Sequence, residues 1–240
     1  MKTLMLATAA IALATAASAQ ETVRLGTEGA YPPYNYIDEA GEVAGFEREL
    51  GDELCARAEL TCEWVTNDWD SIIPNLTSGN YDAIMAGMSI TDERDEVIDF
   101  TQAYYPPTAS RYMALSEDVD VENGVVAAQV NTIQAGHVAE TGATLVEFAT
   151  PDETVAAVRN GEADAVFADS DFLLPIAEQG GDMVIVGEPV PLGGGIGVGV
   201  RETDAELKDA LDAAITAMKE DGTLNEMLVK WFGEETQTFE

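Results

Sequence analysis

Gly79-Asn80-Tyr81-Asp82-Ala83-Ile84-Met85-Ala86 and Gly161-Glu162-Ala163-Asp164-Ala165-Val166-Phe167-Ala168 carry one pattern twice. In each, a glycine stops a helix, and an aspartate then precedes a short apolar run that ends in alanine. A continuous apolar run after a helix stop reads as a buried strand. Working outward, the first copy is preceded by a strand at Val23–Gly26 and a helix marked by Phe46, Leu50 and Leu54. A strand at Glu63–Val65 and a helix over Ser71–Leu76 come next. The second copy follows a strand at Val125–Ala128, a helix over Ile133–Glu140, a strand at Thr144–Val146 and a helix over Glu153–Arg159. Strands alternating with helices predict α/β layers with mostly parallel sheets. Two ordinary helix–strand junctions can coincide by chance, but the matching element order favours two lobes of similar plan.

Two segments have the character of crossings between such lobes: Tyr104-Tyr105-Pro106-Pro107, and Pro191-Leu192-Gly193-Gly194-Gly195 with its freely turning glycines. They divide the chain into one discontinuous lobe, 20–105 plus 196–240, and a second lobe, 106–195. After the second crossing, Ile196–Val200 reads as a strand. Thr203-Asp204-Ala205-Glu206 reads as a capping box opening a helix, with Leu207, Leu211, Ile215 and Met218 along one face. Gly222 ends it, and Thr223-Leu224-Asn225-Glu226 opens a last helix. Both should pack on the first lobe.

Residues 1–19 have the plan of a secretory leader: Lys2, an uncharged apolar stretch from Leu4 to Ala17, and small residues at Ala17-Ser18-Ala19. The expected cut lies before Gln20. The stretch is short of the ~20 apolar residues of a spanning helix, and no cysteine stands at the cut to carry a lipid. The expected compartment is the periplasm. The 240 residues hold 11 basic and 45 acidic side chains, a net charge of −34. That charge repels nucleic acid and anionic lipid, and it is spread too evenly to point to a ligand. Cys55 and Cys62 are the only cysteines, and in an exported chain a disulfide is favoured over two free thiols. A metal site needs more ligands than these, and the single histidine, His137, reads as a surface residue. No metal or cofactor is expected.

Ligands of open α/β sheets lie beyond the carboxyl ends of the strands. The residues there are Thr27, Glu28 and Tyr31 after the first strand, and Gly87, Ser89 and Arg94 after Ala86. In the second lobe they are Asn131, Thr132 and Asp169. One arginine, two carboxylates, hydroxyls, backbone amides and an aromatic ring form the complement of a zwitterion. Arg94 can take a carboxylate through its planar fork, helped by Ser89 and the amide of Thr132; alternatively it is a surface ion pair among Asp92 and Glu93. Asp169 can accept an ammonium group or cap a helix, or both. Tyr31 and Trp69 can sandwich a ligand side chain, although partial core burial is the ordinary fate of such rings. Glu28 would draw a cationic end group, unless it is one more solvated acid. Gly193 to Gly199 lacks the lysine of a phosphate loop, and no nucleophile elbow is present.

Across nearly the whole chain after residue 19, these residues resemble the polar amino-acid branch of bacterial periplasmic binding proteins, the binders of lysine/arginine/ornithine, histidine and opines. The resemblance rests on Gly26–Pro33, Gly45-Phe46-Glu47, Asp68–Pro74, and Tyr81–Thr91 with Arg94. It implies two Rossmann-like lobes joined by a two-strand hinge, the type II periplasmic binding protein fold. It further implies that Arg94, Ser89 and Thr132 hold an α-carboxylate, that Asp169 holds the α-ammonium group, and that Tyr31 and Trp69 flank the side chain. Glu28 falls where cation-binding members carry an acid, and Cys55 and Cys62 match a disulfide of the branch. The implied partners are an amino-acid ligand and the permease subunits of an ABC importer, with the receptor itself a monomer and not an enzyme. Ala86 and Gly87 replace a common serine pair, which removes polar contacts and leaves room for a bulkier ligand such as an opine, and Val130-Asn131 replace a glycine and a threonine, a departure that bears on the carboxylate geometry. A neutral amino-acid receptor, a dehydratase of the cyclohexadienyl type and a sensory receptor domain are the other readings.

Overall fold

The computed structural model describes residues 22–240; the leader reading of residues 1–19 lies outside them. The chain runs β1 (Val23–Thr27), β2 (Ala30–Tyr31), β3 (Asn35–Ile37), β4 (Val43–Ala44), α1 (Phe46–Arg57) and β5 (Cys62–Thr66). A 3₁₀ turn at Trp69–Ser71 leads into α2 (Ile72–Thr77), followed by β6 (Ala83–Ile84), α3 (Asp92–Asp95) and β7 (Asp99–Phe100). Next come β8 (Ala109–Ala114), β9 (Val125–Gln129), α4 (Ile133–Ala139), β10 (Thr144–Phe148), α5 (Pro151–Arg159), β11 (Ala165–Asp169), α6 (Ser170–Gly180) and β12 (Val184–Pro191). The chain closes with β13 (Gly199–Val200), α7 (Ala205–Glu220) and α8 (Thr223–Phe232).

These strands form two five-stranded sheets, ordered β5-β1-β6-β13-β7 and β10-β9-β11-β8-β12, with a small β2-β3-β4 sheet beside the first. The chain passes from one large sheet to the other between β7 and β8 and returns between β12 and β13. The arrangement is that of two α/β lobes with two connections.

The repeated pattern is a structural equivalence. Asp82 Oδ2 accepts from the Arg24 amide at 2.9 Å, and Asp164 Oδ2 accepts from the Val125 amide at 2.7 Å. The aspartate amides return the bond to the carbonyls of Arg24 and Val125 at 2.9 and 2.8 Å. Each aspartate thereby locks the entry of its strand against a parallel neighbour, β1 in one lobe and β9 in the other, and the registers Leu25↔Ala83 and Val126↔Ala165 follow. Gly79 and Gly161 both stop their helices with left-handed φ values of 79° and 74°, where an L side chain is strained.

The sheets are mixed rather than mostly parallel. Strands joined through a helix pair in parallel (β1 with β5 and β6, β9 with β10 and β11). Strands flanking the connections, β8, β12 and β13, pair antiparallel, because the chain there enters each sheet from its neighbour's side. The strands expected over Tyr81–Ala86 and Ile196–Val200 are shortened to β6 and β13. Ile196 instead makes isolated bridges to Ser89 and Tyr105, where the connections lie side by side.

Helices α7 and α8 pack on α1, closing the first lobe over Leu50, Leu54, Leu211, Ile215, Met218, Leu224 and Leu228, all essentially without solvent contact. The expected capping box at Thr203 is absent. Asp204 stands at the helix start with no side-chain cap bond, because its carboxylate pairs with Arg201 at 2.6 Å. A capping box does form at Thr150 and Glu153, starting α5 at Pro151. His137 is half-buried, its ring packed 5.3 Å from that of Phe167. Cys55 and Cys62 are disulfide-bonded, tying α1 to β5 across a Cα separation of 6.3 Å.

Candidate functional site

Glu28, Tyr31, Trp69, Gly87, Ser89 and Arg94 of the first lobe and Thr132 and Asp169 of the second all line one cavity between the lobes. The fold brings them together because most follow the carboxyl end of a strand or start the next helical turn, while Tyr31 lies in β2 and Ser89 bridges to Ile196. Glu28 follows β1 and Gly87 follows β6, Thr132 is the N-cap of α4, and Asp169 ends β11.

Arg94 sits in α3, and its guanidinium turns inward. Nη1 donates to the Ser89 carbonyl at 2.8 Å, Nη2 donates across the cleft to the Asn131 carbonyl at 3.3 Å, and Cζ lies 5.4 Å from the centroid of the Trp69 ring. Among the described residues no carboxylate reaches ion-pair distance of it, unlike Arg24, Arg57 and Arg201, which are paired. Burial therefore pulls its pKa down to about 10, against a partial pull upward from Asp169 and Glu93. Even half-buried, a cation without a counterion is costly, and the surface ion pair left open by the sequence is not formed.

Asp169 answers from the other lobe. It occupies the N-cap position of α6 but makes no cap bond. Its Oδ2 accepts from the Tyr31 hydroxyl at 2.7 Å and its Oδ1 from Gln134 Nε2 at 2.9 Å. Burial raises this carboxyl to about 6, with the Tyr31 bond opposing the shift. Glu28 accepts from Gln129 Nε2 at 2.6 Å, again across the cleft. Burial lifts it to about 7; Gln129 pulls it down, while Asp68 and Asp152 push it up. The charged groups of the cavity are thus one cation and two acids, a net charge of −1 when all are ionised.

Several donors are already spent. The Thr132 hydroxyl donates to the Gln129 carbonyl at 2.7 Å and accepts from the Ala135 amide at 3.1 Å, which leaves its backbone amide to face the cavity. Gly87 donates its amide to Glu47 at 2.7 Å, so its carbonyl is what remains. The φ of Gly87 is 63°, and a Cβ there would stand 3.3 Å from the Tyr31 ring, so glycine serves both backbone and cavity wall. The Tyr31 ring stacks on Phe172 at 4.8 Å and runs nearly parallel to Tyr34 at 5.7 Å. One face is therefore taken by protein rather than free to sandwich with Trp69, and the hydroxyl is its principal presence in the site. Asn131 adopts a left-handed φ of 57°, which asparagine tolerates better than most residues and which frees its carbonyl for Arg94. The Trp69 Nε1 and Thr27 Oγ1 are buried with no hydrogen-bond partner.

Three contributors were not read from the sequence. Gln129 and Gln134 hold the two acids, and reading the strand one residue further, to Gln129, would have placed the first at the strand end. Glu47 is wholly buried beneath the site, where burial raises its pKa. It accepts from Gly87, from Asn35 Nδ2 at 2.7 Å and from the Tyr104 hydroxyl, joining the cavity wall to the first connection. Among the described residues no cluster of His, Cys, Asp or Glu is placed to hold a metal ion.

Residues 23–234 match the family model of bacterial extracellular solute-binding proteins, family 3. The chain belongs to this family. The lysine/arginine/ornithine-binding periplasmic protein of Escherichia coli is 34% identical over 92% of this chain and 93% of its own length. The crystal structure of a periplasmic His/Glu/Gln/Arg/opine family-binding protein from Silicibacter pomeroyi, in complex with lysine, superposes with a TM-score of 0.89. It is 72% identical and the match covers 90% of this chain and 100% of that one. An ancestral amino-acid-binding protein, a precursor of cyclohexadienyl dehydratase, superposes with a TM-score of 0.80 at 29% identity, covering 88% of this chain and 95% of that one. These likenesses span both lobes, so the fold is the type II periplasmic binding protein fold expected of the family.

Proposed function

We propose that this family 3 protein is a periplasmic receptor that captures a cationic α-amino acid between its lobes and delivers it to an ABC-type importer. The observation that carries the proposal is Arg94, a half-buried guanidinium with no carboxylate of its own, in one cavity with the half-buried acids Asp169 and Glu28. An α-carboxylate supplies the missing counterion, an α-ammonium group meets Asp169, and a distal ammonium or guanidinium meets Glu28. A ligand of net charge +1 matches the −1 of the site. The lysine bound to the Silicibacter relative and the arginine and histidine binders among the relatives support the same class. The Ser89 hydroxyl and the Thr132 amide complete the carboxylate end, the Gly87 carbonyl can accept only from the ammonium group because its amide is held by Glu47, and Tyr31 and Trp69 bound the side chain. In this reading the lobes are 20–105 with 196–240, and 106–195. The receptor works as a monomer, and residues 1–19 are the leader.

Binding by calorimetry tests it. R94A should abolish affinity for every amino acid, whereas E28Q should weaken lysine and arginine and spare norleucine or citrulline. Wild-type affinity in R94A would refute the carboxylate assignment. A ligand at 100 times its Kd stabilises by about 2.7 kcal/mol, so a thermal-shift panel including opines and neutral amino acids identifies the ligand. A second reading is favoured by Glu28, whose pKa of about 7 suits a general acid. Dehydration of a cyclohexadienyl acid by the purified protein would support an enzyme instead.

A further inference from the structure

Two residues beyond Asp169, the first turn of α6 reaches into the first lobe at a place that does not line the cavity. Asp171 Oδ2 accepts from the Tyr34 hydroxyl and from the Tyr105 hydroxyl, each at 3.0 Å. Tyr34 belongs to the first lobe and Tyr105 to the first connection, and both are wholly buried. The Phe232 ring of α8 packs 5.0 Å from Tyr34 and 4.6 Å from Tyr105, so the first lobe holds both hydroxyls in place before α6 arrives. The neighbouring Phe172 stacks on Tyr31. The pair Asp171-Phe172 thus enters an aromatic cage that the second lobe can fill only when the lobes are closed.

We infer that Asp171 is a positioning residue for ligand capture: it latches the closed lobes through Tyr34 and Tyr105 and sets affinity without touching the ligand. The inference rests on the proposal that the cavity receives an amino acid. Asp169 and Asp171 divide the work along one short segment. The acceptors of Asp169 face the cavity, and Tyr31 shares them with whatever binds there. The acceptor of Asp171 is engaged outside the cavity, so a ligand in the site does not compete for its bonds. Observed affinity is the intrinsic affinity of the closed site scaled by the fraction of protein that is closed. A latch outside the site therefore multiplies the affinity for all ligands by one factor.

Calorimetry and stopped-flow fluorescence with lysine and arginine, on the intact exported protein, test the latch. D171A should weaken both ligands about tenfold, by the same factor and mostly through faster release. Y34F removes one oxygen and keeps the ring; it should show part of the same loss, and none further when added to D171A. Small-angle scattering of the ligand-free protein should show D171A more open than its parent. Affinities within twofold of the parent, a loss that differs between the two ligands, or an unchanged ligand-free shape would overturn the inference. A parent protein that binds no amino acid would instead sink the functional proposal, and the scattering comparison would still judge the latch.

Discussion

The acid at the distal end of the cavity gives the sharpest test, because its charge state is set by burial and is readable in solution. Glu28 stands at about 7 in the ligand-free site, and a cation placed against it pulls its proton off. An acid raised in this way is ionised above about pH 8 and protonated below about pH 6, so affinity for lysine should be full at the alkaline end and lost as pH falls through 7. With one titrating group, the ionised fraction falls from about nine-tenths at pH 8 to about one-hundredth at pH 5, a loss in affinity of about ninetyfold, or ~2.7 kcal/mol. Asp169, at about 6, steepens the fall below that pH. The same two shifts act oppositely on the empty fold, because a raised acid favours the protonated native state. The contribution of Glu28 to ligand-free stability should therefore increase as pH drops from about 7 toward 4.5. Titration calorimetry near pH 7, in buffers of different ionisation enthalpy, should count about half a proton released per lysine bound. E28Q should erase the limb between pH 6 and 8 and leave the lower one. If lysine affinity is flat from pH 8 to 6 in the parent, or falls equally in E28Q, the electrostatic account of the distal pocket is wrong.

Two further outcomes concern the scaffold. Reducing the Cys55–Cys62 bond, whose sequence separation is 7, should cost about 2.5 kcal/mol by loop-entropy reasoning and lower the melting temperature; an unchanged melting temperature in reductant would contradict this. The equivalent aspartates should differ in cost. Asp164 holds a backbone amide, whereas Asp82 also pairs with Arg24 and Arg201, each at 2.9 Å. Although burial pushes Asp82 upward, those bonds hold it at about 2. Its contribution is present above about pH 4 and disappears as pH falls through 2. D82N should therefore destabilise more than D164N by about 1 kcal/mol after allowance for solvent screening, a difference that chemical denaturation at neutral pH and again at pH 2 can read.

Much of this molecule was legible in the order of its residues. The doubled glycine–aspartate–strand pattern is a local signal, and it held because the aspartate performs the same backbone task in both lobes. The disulfide followed from compartment and spacing, and most cavity residues followed from one rule about strand ends, which did not yield Trp69 and also named Thr27 and Asn131, neither of which lines the cavity. Strand direction was not legible: antiparallel β8, β12 and β13 follow from the path of the connections, which no local pattern encodes. The capping box at Thr203 failed because the helix starts one residue later, with Asp204 at the N-cap position, and Arg201 and the Thr203 hydroxyl engage the Asp204 carboxylate, partners that capping grammar does not consider. Side-chain commitments were equally hidden. Sequence nominates Thr132, Gly87 and Tyr31, but only packing shows that a hydroxyl, an amide and a ring face are already engaged by protein. Residue types and strand-end positions thus determined which groups gather in the cleft. Tertiary structure decided their charge states and which lobe–lobe bonds hold the cleft shut, because desolvation and hydrogen-bond partnership depend on neighbours brought from more than a hundred residues away, as Glu28 and Gln129 show.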